Sequence, residues 1–260
     1  MRKVPQITVF FWIVKILTTA LGESTSDYLV FSINPYVAVG IGALGFVIAI
    51  VAQFLAKKYN AWLYWFAVTM VAIFGTMAAD VVHIVLGIPY LYSTIFFALA
   101  LVLIFVLWWM VEKTLSIHSI TSPRREFFYW ATVCASFALG TAAGDMTAFT
   151  FNLGFLASGL LFAGIIALIG VLHYATKGWL TEHHRHQSAN AVLAFWLAYI
   201  FTRPLGASFA DWTGKAHSVG GLGWGDGMVS GILAILIIGF VWYLSSTRVD
   251  IDRSHEARAR

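Results

Sequence analysis

Charge is what this sequence has least of. Asp, Glu, Lys and Arg make up 11% of its 260 residues, against roughly a quarter in an ordinary soluble domain, while 60% are hydrophobic. A water-soluble chain of this length could not cover its surface with so few polar groups, so lipid has to solvate much of it. A single cysteine, Cys134, excludes a disulfide framework and a cysteine-based zinc site. The start, Met1-Arg2-Lys3-Val4-Pro5, has no small-residue cleavage site, so the apolar stretch after it is expected to stay as a helix. Enzyme signatures are missing too: there is no Ser/His pair, no His-Glu-x-x-His and no stacked histidine pair for haem. Lys15, the sole lysine inside a predicted span, sits too near its entrance for a retinal Schiff base. The expectation is a protein that is not an enzyme and carries no covalent cofactor.

What is present is a series of long apolar runs. They predict helices near 7–30, 35–56, 61–86, 91–112, 127–150, 153–175, 189–212 and 227–246. Each has about 20 residues, enough to cross a hydrocarbon core of ~30 Å at 1.5 Å per residue. Bases fall in alternate breaks: Arg2 and Lys3; Lys57 and Lys58; Lys113, Arg124 and Arg125; Lys177 and Arg185; and Arg248, Arg253, Arg258 and Arg260 in the tail. The other loops hold only Lys215. By the positive-inside rule both termini are expected in the cytoplasm. Because the bases follow helix ends, the net charge of +4 does not point to nucleic acid.

An internal repeat organises the runs. Phe11-Trp12, Gly22 and Asp27 recur as Tyr64-Trp65, Gly75 and Asp80; as Tyr129-Trp130, Gly140 and Asp145; and as Phe195-Trp196, Gly206 and Asp211. The spacing is the same in all four copies. A second apolar helix follows each copy, so every unit returns the chain to its starting side. The predicted fold is therefore all-α and polytopic: eight transmembrane helices in four parallel two-helix repeats, with pseudo-fourfold or paired twofold symmetry about the membrane normal. The repeats run approximately over 4–56, 57–113, 122–176 and 188–246, in one membrane domain with a charged tail over 247–260. The tryptophans read as an interfacial belt, and the glycines as close helix contacts.

On these motifs the chain resembles a family of bacterial integral membrane proteins built from four tandem two-helix repeats of unknown function, each with a signature tryptophan. The stretches from Phe11 to Asp27, from Phe128 to Asp145 and from Ala194 to Trp212 carry the resemblance most clearly. It implies the architecture and brings no activity with it.

Chemistry has to come from the aspartates. Each lies 15 residues past its tryptophan, about 22 Å along a helix axis. An aspartate at the bilayer centre costs at least about 2.5–3.5 kcal/mol on insertion scales, so four of them need partners. They could cap the following helices or bond to a neighbouring repeat. Alternatively, symmetry could bring Asp27, Asp80, Asp145 and Asp211 together around a cation. Four residues earlier, on the same helical stripe, stand Glu23, Thr76, Thr141 and Ala207, and His83 lies one turn beyond Asp80. Oxygen ligands suit hard divalent ions, with His83 shifting preference toward manganese. The next steps along the stripe reach Thr19, Ala72, Phe137 and Arg203, then Lys15, Val68, Val133 and Tyr199. Arg203 and Lys15 would serve as counter-charges that release the acids when a cation binds, or Lys15 could snorkel to the interface. Pro204 is expected to kink helix 7.

The leading expectation is a transporter of a small cation, such as manganese or magnesium, held by Asp27, Asp80, Asp145, Asp211 and Glu23 with Thr76, Thr141 and His83 in support. Protons exchanging on the same carboxylates would drive it. The alternatives are a passive cation or proton channel, and an interaction or assembly protein whose aspartates are struts. The bilayer and the cation are the expected partners, and a homo-oligomer is compatible with the pattern. His183, His184 and His186 read as a solvated loop, His173 as interfacial. Gly220 to Gly227 form a flexible outer loop that no strand precedes, which excludes a nucleotide-binding turn.

Overall fold

The computed structural model describes residues 3–180 and 189–251. Among them are eight long helices and no strand: α1 (Val9–Ser32), α2 (Pro35–Leu55), α3 (Ala61–Asp80), α4 (Tyr90–Glu112), α5 (Pro123–Asp145), α6 (Gly154–Leu180), α7 (Ala189–Gly214) and α8 (Asp226–Thr247). Local signals set the starts. Thr8, Asn34, Asn60 and Ser122 each accept a hydrogen bond from a first-turn amide, and Pro35 and Pro123 follow where no amide partner is needed. The histidine loop around His183 lies outside the described residues.

Seven helices, α2 to α8, are long and apolar enough to cross a bilayer, as in a multi-pass membrane protein. The first, α1, has 24 residues and is set apart by Lys15, Glu23 and Asp27. The helices divide into two sets. In α2, α4, α6 and α8 only 11–22% of the apolar stretch is buried, against 44–61% in α3, α5 and α7. The even-numbered helices are the outer ones, and they present Leu44, Leu99, Leu160 and Ile235 outward.

The inner helices touch in the cyclic order α1, α3, α5, α7 and back to α1. Each outer helix packs most heavily on the inner helix of the following unit: α2 on α3, α4 on α5, α6 on α7, and α8 on α1. This offset ties successive repeats together, since no unit buries its own two helices against each other alone.

The repeated motif makes the inner contacts. Phe11 packs on Trp65 at 5.7 Å, Tyr64 on Trp130 at 5.7 Å, Tyr129 on Trp196 at 6.1 Å, and Phe195 on Trp12 at 5.7 Å. Every aromatic thus meets the tryptophan of a neighbouring inner helix. Trp65, Trp130 and Trp196 are at most 3% exposed, so these three depart from the expected interfacial belt, while Trp12 is part-buried. Aromatic rings gain more from packing on each other across the repeats than from facing headgroups.

The glycines behave as expected. A Cβ on Gly22 would lie 2.8 Å from the Ala72 carbonyl carbon, one on Gly75 3.1 Å from Phe137 Cβ, one on Gly140 2.6 Å from Arg203 Cβ, and one on Gly206 2.9 Å from the Ala20 amide nitrogen. All four let one inner helix press on the next.

Two departures from regular helix matter for the site. Immediately after Asp80 and Asp145 the chain widens into π-helical turns, Val81–Val85 and Met146–Thr150, closed by Leu86 N–H to Val81 O at 3.1 Å and Phe151 N–H to Met146 O at 3.0 Å. By contrast α7 runs unbroken through Pro204, so the irregular turns fall in the second and third units and not beside that proline. Such turns concentrate at functional sites.

Replacing Gly22 by Ala should overpack the α1–α3 contact and cost about 1–3 kcal/mol, lowering the unfolding temperature in detergent. Gly239→Ala on α8, where nothing lies within 4 Å of the new carbon, should leave that temperature unchanged.

Candidate cation site at the aspartate end

Because Phe11, Lys15, Thr19, Glu23 and Asp27 are four apart, one face of α1 carries them all, and the equivalent faces of α3, α5 and α7 meet it. The side chains form successive layers. Phe11, Tyr64, Tyr129 and Phe195 close the tryptophan end, each at most 8% exposed. Above them lie Lys15, Val68, Val133 and Tyr199, then Thr19, Ala72, Phe137 and Arg203, all buried.

Arg203 is the centre. It is wholly buried, and one terminal nitrogen has three acceptors in reach, Glu23 Oε2 at 2.6 Å, Thr141 Oγ1 at 2.8 Å and Thr76 Oγ1, which share its two hydrogens. Its Nε and Nη1 have no partner among the described residues. One side chain of the fourth unit therefore ties together the other three. The threonines are oriented for this: Thr76 donates its own proton to Ala72 O at 2.9 Å and Thr141 to Phe137 O at 3.1 Å, which leaves their lone pairs free to accept. The closeness of Gly140 to Arg203 Cβ gives the stem its path.

The carboxylates gather one turn further on. Glu23, Asp27 and Asp211 each place a ligand oxygen within 4.8 Å of the others. Glu23 is also the leading charged neighbour of Asp80, Asp145 and Asp211. Lys215 closes the cluster from the α7–α8 loop. Its ammonium pairs with Asp27, lies 3.2 Å from Asp226 Oδ2 and 3.9 Å from Asp211 Oδ1, and sits over the Phe31 ring at 5.6 Å. Burial works against this ammonium, but Asp27, Asp211 and Asp226 outweigh it and hold its pKa above the usual lysine value. The glycine loop is not slack: Leu222 N–H bonds to Trp212 O at 2.7 Å and Gly223 N–H to Lys215 O at 2.8 Å, while Gly220, Gly223 and Gly225 take positive φ.

Three expectations need correcting. Lys15 neither pairs with an acid nor snorkels: it is 1% exposed, with Nζ 4.1 Å above the Phe137 ring and 4.3 Å above Tyr199. His83 turns from the acids to its own loop, 3.2 Å from Ile88 O and 3.3 Å from Ser93 Oγ, with its ring on Tyr90. The aspartates are not helix caps, since neither Asp80 nor Asp145 makes a capping bond. Among the described residues those two carboxylates have no hydrogen-bond or ion-pair partner. Lys215 and Asp226 join the site without having been singled out. The usable signal was that Lys215 is the lone base in its set of loops.

A cavity of about 580 Å³ lies elsewhere, at the tryptophan end between α1, α6 and α7, lined by Trp12, Ile16, Ile166 and His173 among others. Among the described residues its lining includes no carboxylate.

Two outcomes follow. Glu23→Gln leaves a buried guanidinium without its counter-charge and should cost about 3–5 kcal/mol, read as lost thermal stability in detergent; the double variant Glu23→Gln, Arg203→Met should recover most of it. For Lys215 the folded pKa is raised, so its contribution is complete below the ordinary value of 10.5 and fades as pH climbs through the higher folded one. Amide exchange over residues 215–225 should therefore be insensitive to loss of this ion pair through neutral pH, and show extra opening only in strongly alkaline solution.

Neither the curated proteins nor the solved structures contain a match to this chain. Four segments, 10–59, 63–114, 128–178 and 194–250, match the family described as Repeat of Unknown Function (DUF347). With four copies covering most of its length, each beginning near the aromatic-tryptophan pair and taking in a glycine and an aspartate, the chain belongs to the DUF347 repeat family.

Proposed function

We propose that the protein is a membrane carrier for a small cation, most simply a divalent metal ion such as manganese or magnesium, and that it has no enzymatic activity. In this reading all eight helices cross the bilayer of a bacterial inner membrane, in four parallel repeats with pseudo-fourfold symmetry about the membrane normal and both termini in the cytoplasm. The offset packing of α8 on α1 supports a closed ring.

The observation that carries the proposal is the imbalance of charge at the aspartate end. Six carboxylates (Glu23, Asp27, Asp80, Asp145, Asp211 and Asp226) face two cations, Arg203 and Lys215. Among the described residues Asp80 and Asp145 lack even a hydrogen-bond partner. Struts in an assembly protein would be paired, as Glu23 and Asp27 are, and these two are not. An all-oxygen set of carboxylates and threonines suits a hard divalent ion, and protons are the natural exchange partner on the same groups.

A carrier fits better than an open channel. The way past the acids is filled by Arg203 and Lys15 and then by a layer of aromatic rings, all buried. Fixed positive charge on the axis repels a cation in transit until Arg203 moves, which is a gating step.

In proteoliposomes an inward Mn²⁺ gradient should drive uptake above that of empty vesicles. Asp211→Asn and Asp145→Asn should each lower the rate by at least about tenfold, the loss that even outer partners of a metal site produce. Wild-type uptake in both variants would overturn the assignment.

A further inference from the structure

Lys15 is the buried group that the cation site does not use. Its ammonium nitrogen has no hydrogen-bond partner, and the charged residue acting on it is Arg203. Around it α5 presents Phe137 and α7 presents Tyr199, while α3 contributes the apolar Val68 and Ala72 at the same layers. Glu23, the nearest acid on its own helix, is two turns away and engaged with Arg203.

Neither the Lys15 ammonium nor the Tyr199 hydroxyl has a hydrogen-bond partner among the described residues. Arg203 shares the Phe137 ring with Lys15: its guanidinium carbon lies 5.7 Å from the ring centroid and the ammonium 4.1 Å.

We propose that Lys15 is a proton-exchange site coupled to the cation site through Arg203. This rests on the cation reading of the aspartate cluster. The coupling is electrostatic. While Glu23 neutralises Arg203, Lys15 adjoins a neutral pair, and two aromatic faces stabilise its ammonium form. A cation that takes Glu23 leaves the guanidinium uncompensated in a buried site, where a second positive charge is costly. Lys15 Nζ then gives up its proton to the solution, and the amine remains neutral until the cation departs. One proton is released as Glu23 changes partner, and no other bond is made or broken.

The test uses the purified full chain in weakly buffered detergent with a pH dye, titrated with MnCl₂ while bound Mn²⁺ is measured by equilibrium dialysis. Lys15→Met should bind Mn²⁺ as the wild type does but release about one proton fewer per ion bound. If Lys15→Met binds Mn²⁺ normally and releases the wild-type number of protons, Lys15 is not the exchange site. If the wild type binds no Mn²⁺, the cation reading fails and this coupling fails with it.

Discussion

A buried charge needs a partner where it lies, and much of the inner architecture follows from how one terminal nitrogen of Arg203 is met, while its Nε and Nη1 have no hydrogen-bond partner among the described residues. A charge in apolar surroundings costs several kcal/mol unless it is paired and hydrogen-bonded. The chain supplies one acceptor from each of the other three units: Glu23, Thr76 and Thr141. All three must stand at one depth, on faces that converge, and each occupies the same place in its repeat. Arg203 therefore holds the inner helices in register at the boundary between an aromatic half and an acidic half.

The contacts on either side keep the same cyclic sense. At the tryptophan end each repeated aromatic meets the tryptophan of a neighbouring inner helix. In the middle each repeated glycine faces the Thr19, Ala72, Phe137 and Arg203 layer of its neighbour. Equivalent residues make equivalent contacts because the helices present identical spacings. Differences between the units are confined to the axis: Glu23 and Lys15 come from the first, Arg203 from the fourth, and the π-helical turns from the second and third. The shared aromatics and glycines serve packing and the shared aspartates form the acidic end, while the unshared Glu23, Lys15 and Arg203 make the electrostatics of the four units unequal.

Lys215 adds a second fixed cation on the opposite side of the acids. Held by a hydrogen-bonded glycine loop, its ammonium lies among the carboxylates, paired with Asp27 and Asp226. Arg203 below and Lys215 above thus bracket the carboxylates. In the proposed carrier both would have to yield, which makes binding and conformational change parts of one event.

Much of this was legible in the residues themselves. Apolar runs of bilayer length determined the all-helical class, because only a helix satisfies its own backbone in lipid, and the spacing from tryptophan to aspartate determined the four units. Stepping by four from each aspartate placed Glu23, Thr76, Thr141, Arg203 and Lys15 on common faces, since helical periodicity is local. Which faces meet is not local. That Arg203 reaches Glu23 while Lys15 lies over Phe137 and Tyr199, that the tryptophans turn inward, and that His83 turns away were settled by how helices distant in sequence pack. The lone base of a glycine-rich loop reached the acids for the same reason: a loop's place over a bundle depends on the helices at both its ends. Periodicity within one helix tells which residues share a face, and only packing between helices decides what that face meets.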